Sequence, residues 1–124
     1  MLLLYRKRCS SCKKIKDQKY YSYDSNSLDR LQSKCKVCAK NSKLKTRYDI
    51  TIIEYERIFK RQGGACAICR IKQSGFTSAF CVDHDHDTNA IRGILCPCCN
   101  RGLGLLGDSI RMITRALAYL KRSK

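Results

Sequence analysis

Apolar positions fall at helical spacing in two stretches of the chain and at strand spacing between them. From Asp49 to Gln62, Ile50, Ile53 and Ile58, with Tyr55 and Phe59, approximate an apolar stripe that Gly63-Gly64 stops, which predicts a helix. Before it, the run from Lys34 through Cys35 and Cys38 to Arg47 predicts a cysteine knuckle leading into a basic helix. Phe80-Cys81-Val82 reads as a strand, Asp87-Thr88-Asn89 as a turn with Asn at positive φ, and Ala90 to Leu95 as the returning strand. From Cys99 onward a short helix is expected, broken by Gly102, Gly104 and Gly107. A last helix, N-capped by Asp108 or Ser109, carries Ile110, Ile113, Leu117 and Leu120 on one face, a stripe expected to join the core. No apolar run approaches the roughly 18 residues of a membrane span. The opening Met1-Leu2-Leu3-Leu4 precedes the first charges, the reverse of a secretory signal, so a cytoplasmic location is expected.

Charge narrows the function classes. The formal net charge is +16, from 26 Lys+Arg against 10 Asp+Glu. Residues 1–48 hold 14 basic and 3 acidic residues, whereas residues 49–124 hold 12 and 7. This excess, interspersed with tyrosines, favours contact with a polyanion over a merely solvated face. Lys34, Lys36, Lys40, Lys43, Lys45 and Arg47, along the knuckle and the basic helix, are the candidate polyanion contacts.

Eight of the ten cysteines form C-x-x-C pairs: Cys9/Cys12, Cys35/Cys38, Cys66/Cys69 and Cys96/Cys99. A secreted disulfide framework rarely spaces cysteines this way, and four redox motifs without a βαβ pattern are not expected in one chain. Two knuckles complete one tetrahedral four-thiolate site, so the expectation is two structural zincs, bound by Cys9, Cys12, Cys35, Cys38 and by Cys66, Cys69, Cys96, Cys99. Zinc also meets a stability need, because segments of about 40 residues bury too little apolar surface to fold alone. Of the remaining two, Cys81 is expected as a small buried hydrophobe, and Cys98 as an alternative to Cys99 that the two-residue spacing disfavours. The domain expectation is a basic zinc module over 1–48 and a second zinc-stabilised module over 49–124, together a small α+β chain.

Both histidines lie in Val82-Asp83-His84-Asp85-His86-Asp87. This cluster suits a hard cation on oxygen ligands beside an imidazole base; the alternatives are a polar loop, or a zinc site on His and Asp, which the cysteines disfavour by already completing two zinc sites. One cation to stabilise developing charge and one base to activate water are what phosphodiester hydrolysis requires.

Cys66-Ala67-Ile68-Cys69, then Val82 to Cys96, then Cys99-Asn100-Arg101-Gly102-Leu103-Gly104 resemble the phage recombination endonuclease VII family of His-Me finger (HNH, ββα-metal) nucleases. The N-terminal segment is similar to zinc modules that precede such domains. The resemblance implies a ββα-metal core with flanking helices and a one-metal mechanism acting on DNA, with branched recombination intermediates as one target. It implies Asp83 and Asn100 as ligands of one catalytic Mg²⁺ (or Mn²⁺), His84 as the general base, His86 as its assistant and Arg92 on a phosphate oxygen. Asp85 and Asp87 are left outside the catalytic set, and a homodimer is compatible with the pattern. In a regular strand Asp83 and His84 point to opposite faces, so one site using both needs the strand to end or bulge there. The competing expectations are a sequence-specific restriction or homing nuclease, and a non-catalytic zinc protein that only binds nucleic acid. The latter explains the charge and cysteines but leaves the DHDH cluster and Asn100 without a purpose.

Overall fold

A computed structural model describes residues 5–75 and 78–122 as a small α+β chain. The opening four residues, on which the reading of the N-terminus rests, lie outside the described residues. Among the described residues no helix is long and apolar enough to cross a membrane. The chain forms two compact units that part after Tyr55.

The first unit opens with a hairpin that the hydrophobic pattern does not announce. Strands β1 (Arg6–Arg8) and β2 (Ile15–Asp17) pair antiparallel, Arg6 opposite Asp17 and Arg8 opposite Ile15. The turn between them is the first cysteine knuckle: Lys13 takes φ 61°, its N–H reaches the Cys9 carbonyl at 3.0 Å, and the Cys9 N–H reaches Lys14 O at 3.0 Å. The buried centre is Cys9, Tyr21 and Cys35, with Leu31, Cys12 and Cys38 packed against it. Such a core is too small to fold on burial alone. Lys7 ties its edges together, donating to Leu31 O at 2.8 Å and pairing with Asp29 at 2.7 Å, which holds the Asp29 carboxyl at about 2.

Helix α1 (Lys36–Tyr48) starts at Cys35 and ends where Asp49 takes a left-handed conformation, φ 52°, with its N–H on Lys45 O. Helix α2 (Ile52–Arg61) therefore begins three residues later than the apolar pattern predicts. The signal for its true start is a capping box: Thr51 N–H donates to Glu54 Oε2 at 2.7 Å, and the Glu54 N–H to Thr51 Oγ1 at 3.2 Å. Ile50 is buried ahead of the helix, while Ile53, expected on its apolar stripe, is exposed.

In the second unit, β3 (Cys81–His84) and β4 (Ile91–Leu95) form an antiparallel ladder against which α3 (Pro97–Leu105) packs. Phe59 meets Phe80 edge-on at 5.7 Å, and Val82, Ile94 and Leu95 are buried. Cys81, expected as a small buried hydrophobe, is half-buried, and burial pushes its thiol up. Gly102 and Gly104 do not break α3, which runs through both; the stop is Gly107 at φ 67°. An interior glycine costs only about 1 kcal/mol against alanine, and this helix is anchored at its start by the cysteine cluster. Helix α4 (Ile110–Lys121) is N-capped by Ser109. Its apolar stripe does not join the core as expected: Ile110 is 85% and Leu117 52% exposed, and Ile113 and Leu120 are also at the surface.

One interaction that the linear pattern does not announce fixes β4. The Gln62 amide, just past α2, donates to Ile94 O at 2.8 Å and accepts from Ile94 N–H at 2.9 Å, standing in for a neighbouring strand. The approach is close at Gly93, where an added Cβ would lie 3.0 Å from Gln62 Oε1, so the amide would have to shift by a few tenths of an ångström. Gln62→Ala leaves the N–H of fully buried Ile94 without its acceptor, for an expected loss of about 1–3 kcal/mol. Thermal melting measures this; an unchanged midpoint contradicts it.

Candidate active site

The eight paired cysteines gather as two quartets, Cys9, Cys12, Cys35, Cys38 and Cys66, Cys69, Cys96, Cys99, with all sulfurs in each set within 4.8 Å of one another. Both are built alike. The first pair sits in a knuckle closed by a left-handed residue, Lys13 or Arg70, and the second opens a helix, with Cys35 and Cys96 as N-caps at nearly identical backbone angles. Cys98 stands outside the quartet, exposed.

The donor sets suit a tetrahedral thiolate-bound dication. Cys69 Sγ and Cys96 Sγ are 3.7 Å apart, close to the edge of a tetrahedron built from bonds of about 2.3 Å. Burial opposes ionisation of Cys9, but backbone N–H groups of Cys35, Cys12 and Ser11 outweigh it and hold the thiol at about 6. Cys66 is likewise held at about 6 against burial, by the N–H groups of Cys96, Cys69 and Ile68. Their partners resist: Cys38, donating to Cys35, stays protonated to about 11, and Cys99, pushed up by burial and by its sulfur neighbours, to about 12. Four thiolates so close together need a cation between them.

The ladder carries the second cluster. Cys81, Val82 and Asp83 pair in register with Leu95, Ile94 and Gly93; then His84 faces Ile91, so the register slips between Asp83 and His84 and Arg92 is the extra residue. Strand β3 also ends at His84. The break that shared use of both residues demands is thus present. In an unbroken ladder Arg92 would project to the face opposite Asp83; the slip re-aims it. Arg92 Nε donates to Asp83 Oδ2 at 2.8 Å and Nη2 to Oδ1 at 3.1 Å, while Nη2 also donates to both oxygens of Asp108, at 2.7 and 2.8 Å. The Asp83 and Asp108 side chains are only 13% and 21% exposed, so the network is less screened than an ordinary surface pair. Arg92, expected on a phosphate, is thus committed through Nε and Nη2 to two carboxylates, which raise its already high pKa. The sequence marks Asp108 only as a cap; no local signal marks a partner 16 residues from Arg92.

His84 and His86 lie with ring centroids 4.8 Å apart at a 55° tilt. Asp85 builds the turn: its carboxylate accepts from Thr88 N–H at 2.8 Å and Asp87 N–H at 3.0 Å, which lowers its pKa, and Asn89 takes φ 58°. Asn100 stands in the first turn of α3, its N–H on Cys96 O, on a helix packed against both strands. Among the described residues, Asp83, His84 and His86 form no third metal cluster of three His, Cys or acidic groups. A carboxylate and an amide oxygen are hard donors that leave most positions of a small cation to water, which suits Mg²⁺.

Most of the predicted basic contacts around α1 are engaged within the first unit. Lys34 donates to Ser42 Oγ, Lys36 to Lys19 O, Lys40 lies 4.1 Å above the Tyr55 ring, and Lys45 pairs with Asp49. Lys43 and Arg47 are exposed and make no such contact among the described residues.

The gene 59 protein of Mycobacterium phage D29 is 45% identical over 76 residues, covering 60% of this chain and 46% of that protein. The gene 59 protein of Mycobacterium phage L5 is 45% identical over 74 residues, covering 59% and 44%. The chain therefore spans under half the length of these curated relatives. The crystal structure of the ββα-Me type II restriction endonuclease Hpy99I aligns with 96% of this chain and 66% of that one, at a TM-score of 0.46 and 24% identity. The family model for recombination endonuclease VII matches residues 41–122. That span takes in the second cysteine quartet, the slipped ladder and α3, and the chain belongs to the recombination endonuclease VII family.

Proposed function

We propose that this chain is a metal-dependent DNA endonuclease that hydrolyses phosphodiester bonds by a one-metal His-Me finger mechanism. The observation that carries the reading is the register slip between Asp83 and His84, on a ladder packed against the helix that bears Asn100. Two structural zincs, one per cysteine quartet, hold the fold. Asp83 and Asn100 hold the catalytic cation. When bound, Mg²⁺ (or Mn²⁺) supplies positive charge for the developing phosphorane and the leaving 3′-oxygen. The His84 imidazole takes the proton of the attacking water as general base. His86, packed on the His84 ring, orients it, and Arg92 turns its free donors to a phosphate oxygen.

The proposal extends to organisation: a basic zinc module over 1–48, a nuclease module over 49–124, and action in the cytoplasm of a bacterium or phage-infected cell. Branched recombination intermediates are the proposed target, and the exposed α4 stripe supports a homodimer.

The test is digestion of supercoiled, linear, flap and four-way-junction DNA with Mg²⁺ and with EDTA, with cleavage ends mapped. Metal-dependent cuts with 3′-hydroxyl ends support the reading. Binding without cleavage on every substrate returns the chain to the class of non-catalytic zinc proteins.

For DNA affinity, the two uncommitted cations of α1 are expected to matter most. Lys43→Gln with Arg47→Gln should flatten the slope of log K against log salt by about 1.8, roughly 0.9 for each phosphate no longer neutralised. The same change at Lys36 and Lys40 should move it less. An unchanged slope for the first pair would show that α1 touches no phosphate.

A further inference from the structure

Asp108 occupies an unfavourable backbone position for a purpose the cap does not explain. It sits at φ 53° between α3 and α4, its N–H on Leu103 O at 2.8 Å, while Ser109 performs the capping of α4. A non-glycine residue in the left-handed region carries some strain. What the position achieves is to lay both Asp108 oxygens on Arg92 Nη2.

Arg92 is therefore shared between two carboxylates, one of which is the proposed ligand of the catalytic cation. A guanidinium gripping Asp83 through Nε and Nη2 competes for that carboxylate with any divalent cation, since the two positive charges repel at contact distance. The geometry points to Asp108 as a positioning residue: it retains Arg92 beside the site when Asp83 exchanges the guanidinium for a divalent cation. With Asp108 present, release of Arg92 from Asp83 leaves neither charge stranded, because the guanidinium keeps a carboxylate partner. Without Asp108, Arg92 rests wholly on Asp83 and closes it to the cation. This inference rests on the proposed role of Asp83 as a cation ligand.

The test is Mn²⁺ binding to the full, zinc-loaded chain, read by electron paramagnetic resonance without DNA, with zinc content and melting as controls. Asp83→Asn should abolish binding. Arg92→Met should tighten it and Asp108→Asn weaken it, each by up to about fivefold, the size of a partly screened ion pair. Asp108→Glu should restore part of the loss, and the Arg92→Met/Asp108→Asn double variant should bind like Arg92→Met alone, because Asp108 acts only through Arg92. If Asp108 merely staples the α3–α4 junction to β4, both single variants weaken binding and the double variant is worse, which overturns the proposal. If Arg92→Met does not fold, an Asp108→Asn chain with wild-type Mn²⁺ affinity overturns it equally. Mn²⁺ binding that Asp83→Asn leaves untouched would sink the catalytic reading itself, whereas Asp83-dependent binding with same-direction variants sinks only the role of Asp108.

Discussion

His84→Ala should lower the rate of DNA cleavage by about 10²–10⁴-fold while zinc content and DNA affinity keep their wild-type values. The expectation follows from a division of labour within the chain. The cysteine quartets sit at knuckles and helix starts, the uncommitted cations sit on α1, and His84 ends β3 at the slip of the ladder. The quartets are built of cysteines alone, so loss of the imidazole falls on proton transfer. Asp83→Asn should be at least as severe, and Asn100→Ala milder and partly rescued by raised Mg²⁺, because water can replace a neutral amide oxygen but not a carboxylate. His86→Ala should fall between, since its ring packs on His84 at 4.8 Å. The comparison is made by single-turnover cleavage at saturating DNA, which separates binding from chemistry. Parental cleavage by His84→Ala would remove the base from the mechanism.

Cys66→Ser should unfold the second unit and reduce the metal content from two zincs to one per chain. Cys66 is fully buried, its N–H pairs with Ile71 O, and its carbonyl receives the Arg70 N–H, so the knuckle and the sulfur cluster stand or fall together. Structural zinc contributes an apparent binding free energy of about 10–16 kcal/mol in small zinc-dependent folds, about as much as the whole stability of a domain. Among the described residues no apolar core of comparable worth surrounds the ladder, where Phe80, Val82, Ile94 and Leu95 are the large buried side chains. Cys98→Ser, at the exposed position one residue from Cys99, should leave both metal content and melting unchanged. Elemental analysis with thermal melting decides both; a Cys66→Ser chain that melts like the parent would mean the second unit folds without its metal.

The elements legible in the sequence are those whose information is local. Four C-x-x-C spacings specify knuckles, since two residues between cysteines bring two thiolates to one side, and both quartets assemble as the spacing implies. Asp87-Thr88-Asn89 marks the turn because Asn accepts positive φ, which it adopts at 58°. The demand for a break at Asp83/His84 is also legible, because strand alternation is a fixed period of two. Where local signals compete, the predicted boundary is off by a few residues: Asp49 has the look of a helix start but ends α1, and Thr51 with Glu54 holds the start of α2.

Three features are decided only by the tertiary structure. Helical periodicity establishes that α4 has an apolar face but carries no information about what covers it, and that face lies at the surface. Glycine propensity weakens a helix by about 1 kcal/mol per residue, less than the anchoring of α3 at Cys96 and Cys99, so the helix persists through Gly102 and Gly104. The Asp83–Arg92–Asp108 chain of ion pairs depends on a one-residue slip in β4 and on a left-handed residue after Gly107. Residues 9 and 16 positions apart in sequence meet there only because the ladder turns one strand back on the other and α3 returns the chain to its edge. Charge and residue type could nominate Asp83 and Arg92 separately. Their pairing is a fact of three-dimensional packing, which no window along the chain contains.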